Sequence, residues 1–422
     1  MKAKNRIITL LCSVLFATGL VAQNNMNSPY SRFGLGVLSE QQVGADRAMG
    51  GIGIGTRGHN NINLLNPASY STVDTLSFLL DFGFSLQNGN FSENGKKINA
   101  KNAGADYVAM QFRVQPKIGM TLAYMPYSKV GYAFSLNEIV RNDEDGEISS
   151  TNLYGGAGGL DCVIGGLGWR PTEWLSIGAN ASYIYGEIAH SVKNSYSLTS
   201  IYTRQKTYRA QLSAIKLDYG LQSTIKMGEN ALVLGVTFAP KTALKGDTYI
   251  SDVMVNSASE VLMSDTVALK DAFSLPNSFG FGASYMTEKL TVGADVTYQQ
   301  WSGSKLFGKY DGLDKMRISL GAMYQHDANS KNILKSCIYR AGLYMQQPYC
   351  KLEQVTAPTE YGLTAGFSIP VVNRYNNRST IDISGQYVRM QPANDTFMTE
   401  NYLRINIGIS FSERWFAKWL VE

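Results

Sequence analysis

The sequence predicts an all-β protein, a transmembrane antiparallel β-barrel of about fourteen strands with an N-terminal hatch. Three observations predict it. Apolar residues alternate with period two along most of the chain, and the residues between them are mostly Gly, Ser, Thr and Asn rather than Lys and Glu. Charged residues make up only 17% of the 422, against roughly 25% in a typical soluble domain. In a soluble sandwich the polar face meets water and carries charge. Here it is small and uncharged, which suits a crowded barrel interior, so the apolar face is left to meet lipid.

Residues 1–22 read as a secretory signal. Lys2, Lys4 and Arg6 form the basic start, residues 7–17 the apolar middle, and Gly19-Leu20-Val21-Ala22 the small-residue exit before Gln23. Cys12 lies inside the apolar stretch, which argues against a lipoprotein site. Removing this segment takes away three cations and no acid, so the formal net charge falls from +5 to +2 and no basic footprint for nucleic acid remains. No later run is apolar enough for a spanning helix. With three His and four Cys in the whole chain, a metal centre or a thiol-based catalyst is not expected. Cys162, Cys337 and Cys350 allow at most one disulfide, and Cys337 with Cys350 is the nearest pair.

Residues 23–70 lack sustained alternation, yet carry more apolar residues than a disordered tail needs; they read as a plug folded into the barrel, the hatch. Asn66-Pro67-Ala68 is its clearest local signal, since Pro fixes φ and Asn bonds nearby backbone, pinning a turn. Gly53-Ile54-Gly55-Thr56-Arg57-Gly58 fits G-x-G-x-x-G, but no strand precedes it and no amphipathic helix follows. Those glycines are expected to allow tight packing and positive-φ turns rather than to bind a nucleotide.

Residues 71–411 form the barrel. Strands are expected near 75–87, 106–125, 130–140, 153–169, 174–186, 208–226, 231–239, 277–286, 289–299, 315–324, 335–346, 358–369, 380–388 and 401–411. Phe279, Phe281, Ala283 and Tyr285 alternate with Ser278, Gly280, Gly282 and Ser284, and a second such run starts at Leu290, giving a hairpin. Short turns at 126–129, 170–173, 227–230 and 287–288 fall on one side, longer connections on the other, which puts both chain ends in the periplasm. Trp169, Trp174, Tyr124 and Tyr127 beside short turns suit an interface girdle. The 240–276 connection holds an apolar run at 261–269, expected as a small hairpin. Residues 412–422, with Trp415, Phe416 and Trp419, form an aromatic tail that could lie at the membrane or dock a protein partner.

Ser28-Pro29-Tyr30-Ser31-Arg32-Phe33-Gly34, Arg47-Ala48-Met49-Gly50-Gly51 and Asn66-Pro67-Ala68, followed by a fourteen-strand pattern, resemble the FadL/TodX family of outer-membrane transporters, in which an N-terminal hatch carries an Asn-Pro-Ala motif. Leu275-Pro276 before the Phe279 strand also fits. The resemblance implies a passive channel in the outer membrane of a diderm bacterium, with membrane lipid and a hydrophobic solute such as a long-chain fatty acid as its partners, and no cofactor. It leaves the ligand-binding residues unknown. The alternative is a non-transporting barrel of the same fold that serves as a structural, assembly or secretion-accessory subunit. A diffusion porin would need a charged constriction, and the inner parity reads as mostly uncharged. An enzyme is not expected: His59, His190 and His326 sit by no convincing nucleophile, and Lys193, Arg204, Lys206 and Arg209 read as solvated loop surface.

Overall fold

The computed structural model describes residues 26–414, apart from residues 76, 94, 144–145, 199, 257, 259, 271, 308–310, 329, 331, 353–354, 372–378 and 393–397. The proposed signal and the aromatic residues Trp415, Phe416 and Trp419 lie outside the described residues. Fourteen strands make the wall: β1 Ser77–Glu93, β2 Lys96–Gln115, β3 Ile118–Asp143, β4 Gly146–Trp169, β5 Leu175–Tyr196, β6 Thr203–Met227 and β7 Asn230–Ala239. After the long 240–276 connection come β8 Ser278–Met286, β9 Leu290–Gln299, β10 Lys315–Gln325, β11 Ile338–Gln346, β12 Thr359–Val371, β13 Ser379–Gln391 and β14 Thr399–Arg414. Each strand pairs antiparallel with the next. β1 then pairs with β14, from Ser77 opposite Arg414 to Ser92 opposite Thr399, and the sheet closes on itself.

The burial pattern is that of a soluble protein turned inside out. On β10, Leu320 is 46% exposed on the outer face while its neighbour Ser319 is 2% exposed on the inner one. The same holds on β8, where Phe281 points out and Ser284 in, and on β5, where Ile177 and Tyr183 point out and Ser176 and Asn180 in. Only a hydrocarbon surround makes that arrangement favourable. Leu320→Lys is therefore expected to lower folding stability in lipid by about 2–4 kcal/mol, while Ser319→Ala costs far less; denaturant titration in phospholipid vesicles measures both.

The expected strands at 106–125 and 130–140 are corrected by the structure. Alternation runs without a break from Val108 to Tyr124 because the chain turns within it at Pro116 and Lys117, and this tight turn keeps the parity. Residues 126–129, expected as a short turn, form instead a bulge inside β3. Gly159 faces this bulge from β4 with φ +148°, and a Cβ there would lie 2.3 Å from the Ser128 carbonyl. Tyr127, expected in the outer girdle, turns inward at the bulge and lines a lumen cavity, whereas Trp169, Trp174 and Tyr124 remain exposed.

At the long-loop end the strands run well past their expected limits. The connections expected at 88–105, 141–152 and 187–207 are mostly strand. His190, expected in a loop, lies within β5, and its Nδ1 is 2.9 Å from the Tyr132 hydroxyl. The 240–276 connection does form a hairpin, Thr248–Val255 against Val261–Leu269, whose first strand pairs with the upper part of β6. The barrel begins at Ser77 and ends at Arg414, a few residues beyond the expected 71 and 411. All three described cysteines are free, so the pairing allowed for Cys337 and Cys350 is not made.

Candidate functional site: a wall gap and the segment seated behind it

The barrel wall is incomplete at one place. β2 pairs with β1 from Lys96 to Phe112, but with β3 only from Val108 to Gln115, opposite 118–124. Above Tyr124 no pairing between β2 and β3 exists among the described residues, because the bulge carries β3 away. The freed edge of β3 is partly taken from inside by two residues of the N-terminal segment, with Val37 opposite Lys129 and Leu38 opposite Ser128, and Ser39 N–H donates to the Tyr127 carbonyl at 2.9 Å.

A cavity of about 120 Å³ lies behind this gap, lined from β2 by Asn102, Gly104 and Asp106 and from β3 by Pro126 and Lys129. It adjoins a more apolar cavity of about 70 Å³ beneath the long loops, bounded by Tyr30, Pro348, Tyr349 and Met390; Val37, Leu38 and Lys315 border both. Charge lines the first cavity. Arg47 Nη1 meets Asp106 Oδ2 at 2.5 Å, and Arg404 Nη1 lies 3.9 Å from Glu40 Oε2. Lys129 and Lys315 reach it with no ion pair or side-chain hydrogen bond among the described residues. The expectation of a mostly uncharged inner face is thus corrected, and the N-terminal segment occupies the lumen beside these charges.

The first described residues of that segment lie at the long-loop end, not on the short-turn side expected for the start of the chain, and the segment descends from there. Ser28 Oγ donates to the fully buried Glu400, at 2.8 and 2.9 Å from its two oxygens, and Tyr30 donates to the Met398 carbonyl at 2.5 Å. Tyr107 accepts the Gly44 N–H at 2.5 Å and donates to Asp81 Oδ1 at 3.0 Å. Lower down, a wall carboxylate holds the backbone directly. Asp295 Oδ2 on β9 accepts from Gly53 N–H at 2.6 Å and Ile54 N–H at 2.8 Å, while Oδ1 lies 3.4 Å from the Gly55 nitrogen. The glycine-rich stretch is thus an anion cradle whose anion is the protein's own aspartate. At Gly53 and Gly55 the need is closeness rather than positive φ, since a Cβ on Gly55 would lie 2.5 Å from the Ala283 nitrogen.

Asn66-Pro67-Ala68 forms the lowest anchor. Asn66 is fully buried, caps the short 3₁₀ turn Pro67–Thr72 by accepting from Ala68 N–H at 3.1 Å, and donates to the carbonyls of Ile54 at 2.9 Å and Leu221 at 3.2 Å. The motif rests on bare backbone of the wall. A Cβ on Gly220 would lie 2.1 Å from Asn66 Oδ1, one on Gly178 2.4 Å from the Pro67 carbonyl, and one on Gly119 1.9 Å from the Tyr70 carbonyl. The small inner parity is a seat cut to the shape of the segment. Arg57 adds hydrogen bonds to Thr224, at 2.7 Å, and to Ser176.

Asp295, Arg57 and the lysines at the gap were not singled out by the sequence. Asp295 did leave a signal, as a lone acid among Gly293 and Thr297 on an inner parity. Nothing in local sequence pairs it with residues 53–55. Among the described residues no group of three or more His, Cys, Asp and Glu could hold a metal ion.

A closed fourteen-strand barrel with an occupied lumen and a lateral break defines the class, a FadL-like membrane barrel. The fold is similar to that of CymD, a monoaromatic hydrocarbon channel, with a TM-score of 0.62 and 15% identity over 90% of this chain and 100% of that one. It is also similar to the toluene transporter TodX of Pseudomonas putida, with a TM-score of 0.58 and 15% identity over 90% and 100% of the two chains. A FadL homologue of Pseudomonas aeruginosa gives 0.60 and 11% over 89% and 99%. A search of curated proteins found no match. The model of the BamG family matches residues 3–421, and the chain belongs to that family.

Proposed function

We propose that the protein is an outer-membrane barrel that passively admits small hydrophobic or amphiphilic molecules, with the N-terminal segment as its hatch. The wall gap that opens onto the cavity behind it carries this reading. A solute caught at the long-loop end would enter the paired cavities, and movement of the segment around Asn66, Pro67 and Ala68 would release it. Apolar burial gives affinity at roughly 25 cal/mol per Å², so no catalytic group is needed. The apolar cavity of about 70 Å³ and the charge-lined one of about 120 Å³ beside it together give room for a molecule of one ring whose polar end meets the charges, given that a dry cavity of roughly 150 Å³ holds benzene. A long acyl chain needs the segment to move first, so the fatty-acid expectation narrows to smaller solutes for the closed arrangement. The likeness of fold to aromatic-hydrocarbon channels supports the same solute class.

The test is uptake of radiolabelled toluene, at limiting concentration, by a diderm host that lacks its own channel for such compounds. Expression of the wild type is expected to speed uptake. Gly104→Trp, which fills the cavity behind the gap, is expected to cut that gain at least tenfold while the barrel still assembles. Equal rates with and without the protein would remove the transport reading.

One observation favours the second reading, a non-transporting structural or assembly subunit: the described lumen is packed with the segment and with paired charges such as Arg47 and Asp106, leaving no wide apolar path. Native purification followed by mass spectrometry separates the two. Bound hydrophobic small molecules support transport; an empty lumen with a stoichiometric protein partner, including one held at residues 412–422, supports the subunit.

A further inference from the structure

Besides the wall gap, the hairpin above the barrel leaves a strand edge open. Thr248–Val255 is paired on both sides, with 203–210 of β6 on one and with Val261–Leu269 on the other. Val261–Leu269 has a partner on one side only, and among the described residues nothing pairs with its other edge. Residues 261–268 are all exposed, with Val261 at 62%, Leu262 at 50% and Val267 at 49%. An exposed strand edge is a template for another chain, and proteins commonly blunt it with Lys, Pro or a covering loop. This strand has no Lys, no Arg and no Pro, and its register shift lies only near the tip.

Its one charge is Asp265, at the middle. Asp265 stands opposite Asp252, and Asp252 is already satisfied: Arg204 Nη2 and Nε meet its carboxylate at 2.5 and 2.9 Å and hold it below the usual carboxylate range. Asp265 has no ion pair among the described residues. A strand laid along this edge would complete it by placing a cation beside Asp265 and apolar side chains beside Met263 and Val267. A second copy of this chain does not meet the first of these requirements. Inserted in the same sense, it could offer its own strand only in parallel, the weaker pairing, and that strand carries no cation.

We propose that the outer edge of Val261–Leu269 docks, by strand addition, an extended and centrally basic segment of a different protein outside the membrane. Backbone hydrogen bonds supply the affinity and the Asp265 contact fixes the register. This holds whether or not the barrel transports anything.

The probe is a fluorescein-labelled nonapeptide alternating Thr and Val around a central Lys, titrated by fluorescence anisotropy against the full-length protein in detergent micelles. Saturable binding is expected. Asp265→Lys should weaken it at least tenfold, and a peptide with central Glu should recover most of that loss against the Asp265→Lys protein. N-methylation of alternate peptide nitrogens should abolish binding. Absent binding, binding indifferent to the charge swap, or equal binding of the N-methylated peptide would each overturn the proposal. So would Val267→Cys in a background free of its other cysteines, if it links two copies to each other in native membranes.

Discussion

Asp295→Ala is expected to open the barrel. The substitution removes the acceptor for the N–H groups of Gly53, Ile54 and Gly55 and leaves these donors buried in the lumen. A hydrogen bond to a charged acceptor contributes about 1.5–3 kcal/mol, so even one strong bond lost shifts the balance between seated and unseated segment by roughly one to two decades. The side chain lies on the inner face, so the lipid face and strand pairing are untouched. In planar bilayers, single-channel conductance should change from rare, brief openings in the wild type to frequent long ones in Asp295→Ala, with Asp295→Asn intermediate. If all three give the same trace, the carboxylate does not hold the segment in place.

Gly220→Leu is expected to unseat the lowest anchor. Its Cβ would fall 2.1 Å from Asn66 Oδ1, and Asn66 has no free space to retreat into, being fully buried under its bonds to Ile54, Leu221 and Ala68. Overpacking of this kind costs typically 1–3 kcal/mol, concentrated here on one turn. The segment should yield before the wall does, since Gly220 sits within a strand paired on both sides. Trypsin cleavage after Arg57 should accelerate at least tenfold, while heat-modifiable migration of the barrel is retained. Gly385, whose Cβ would meet nothing within 4 Å, is the comparison: Gly385→Ala should leave the cleavage rate unchanged.

Much of the fold is legible because the membrane enforces it. Wherever a strand faces lipid, one parity must be apolar, and the runs at Phe279 and Leu290 could be assigned to their faces directly. Legibility stops where that constraint stops. Lys96 to Ala105 and Glu187 to Tyr196 are strand, but with no sustained apolar parity, and read as loop. The turn at Pro116 and Lys117 was hidden by its own compactness, because a tight reversal keeps the alternation in phase. Pro126 signalled a break that the chain resolves as a bulge, and the wall gap follows from that misread position. For the candidate site, Asn66, Pro67 and Ala68 could be picked out as a local turn, whereas their seat could not. Gly119, Gly178 and Gly220 look like any small residues on an inner face until the segment is placed against them. The cradle at 53–55 needs a partner some 240 positions away, and no local pattern encodes that distance.

The account rests on one orientation: the apolar parity touches acyl chains, and the small polar parity surrounds an enclosed, occupied interior. Spin labels on cysteines introduced in place of Leu320 and Ser319, with the native cysteines replaced, measure this directly through relaxation by oxygen and by a water-soluble nickel chelate in lipid vesicles. The account predicts that the label at Leu320 is relaxed strongly by oxygen and hardly by nickel, and that the label at Ser319 is shielded from both. Strong relaxation of the Leu320 label by nickel, or of the Ser319 label by oxygen at the level of bulk lipid, would contradict it.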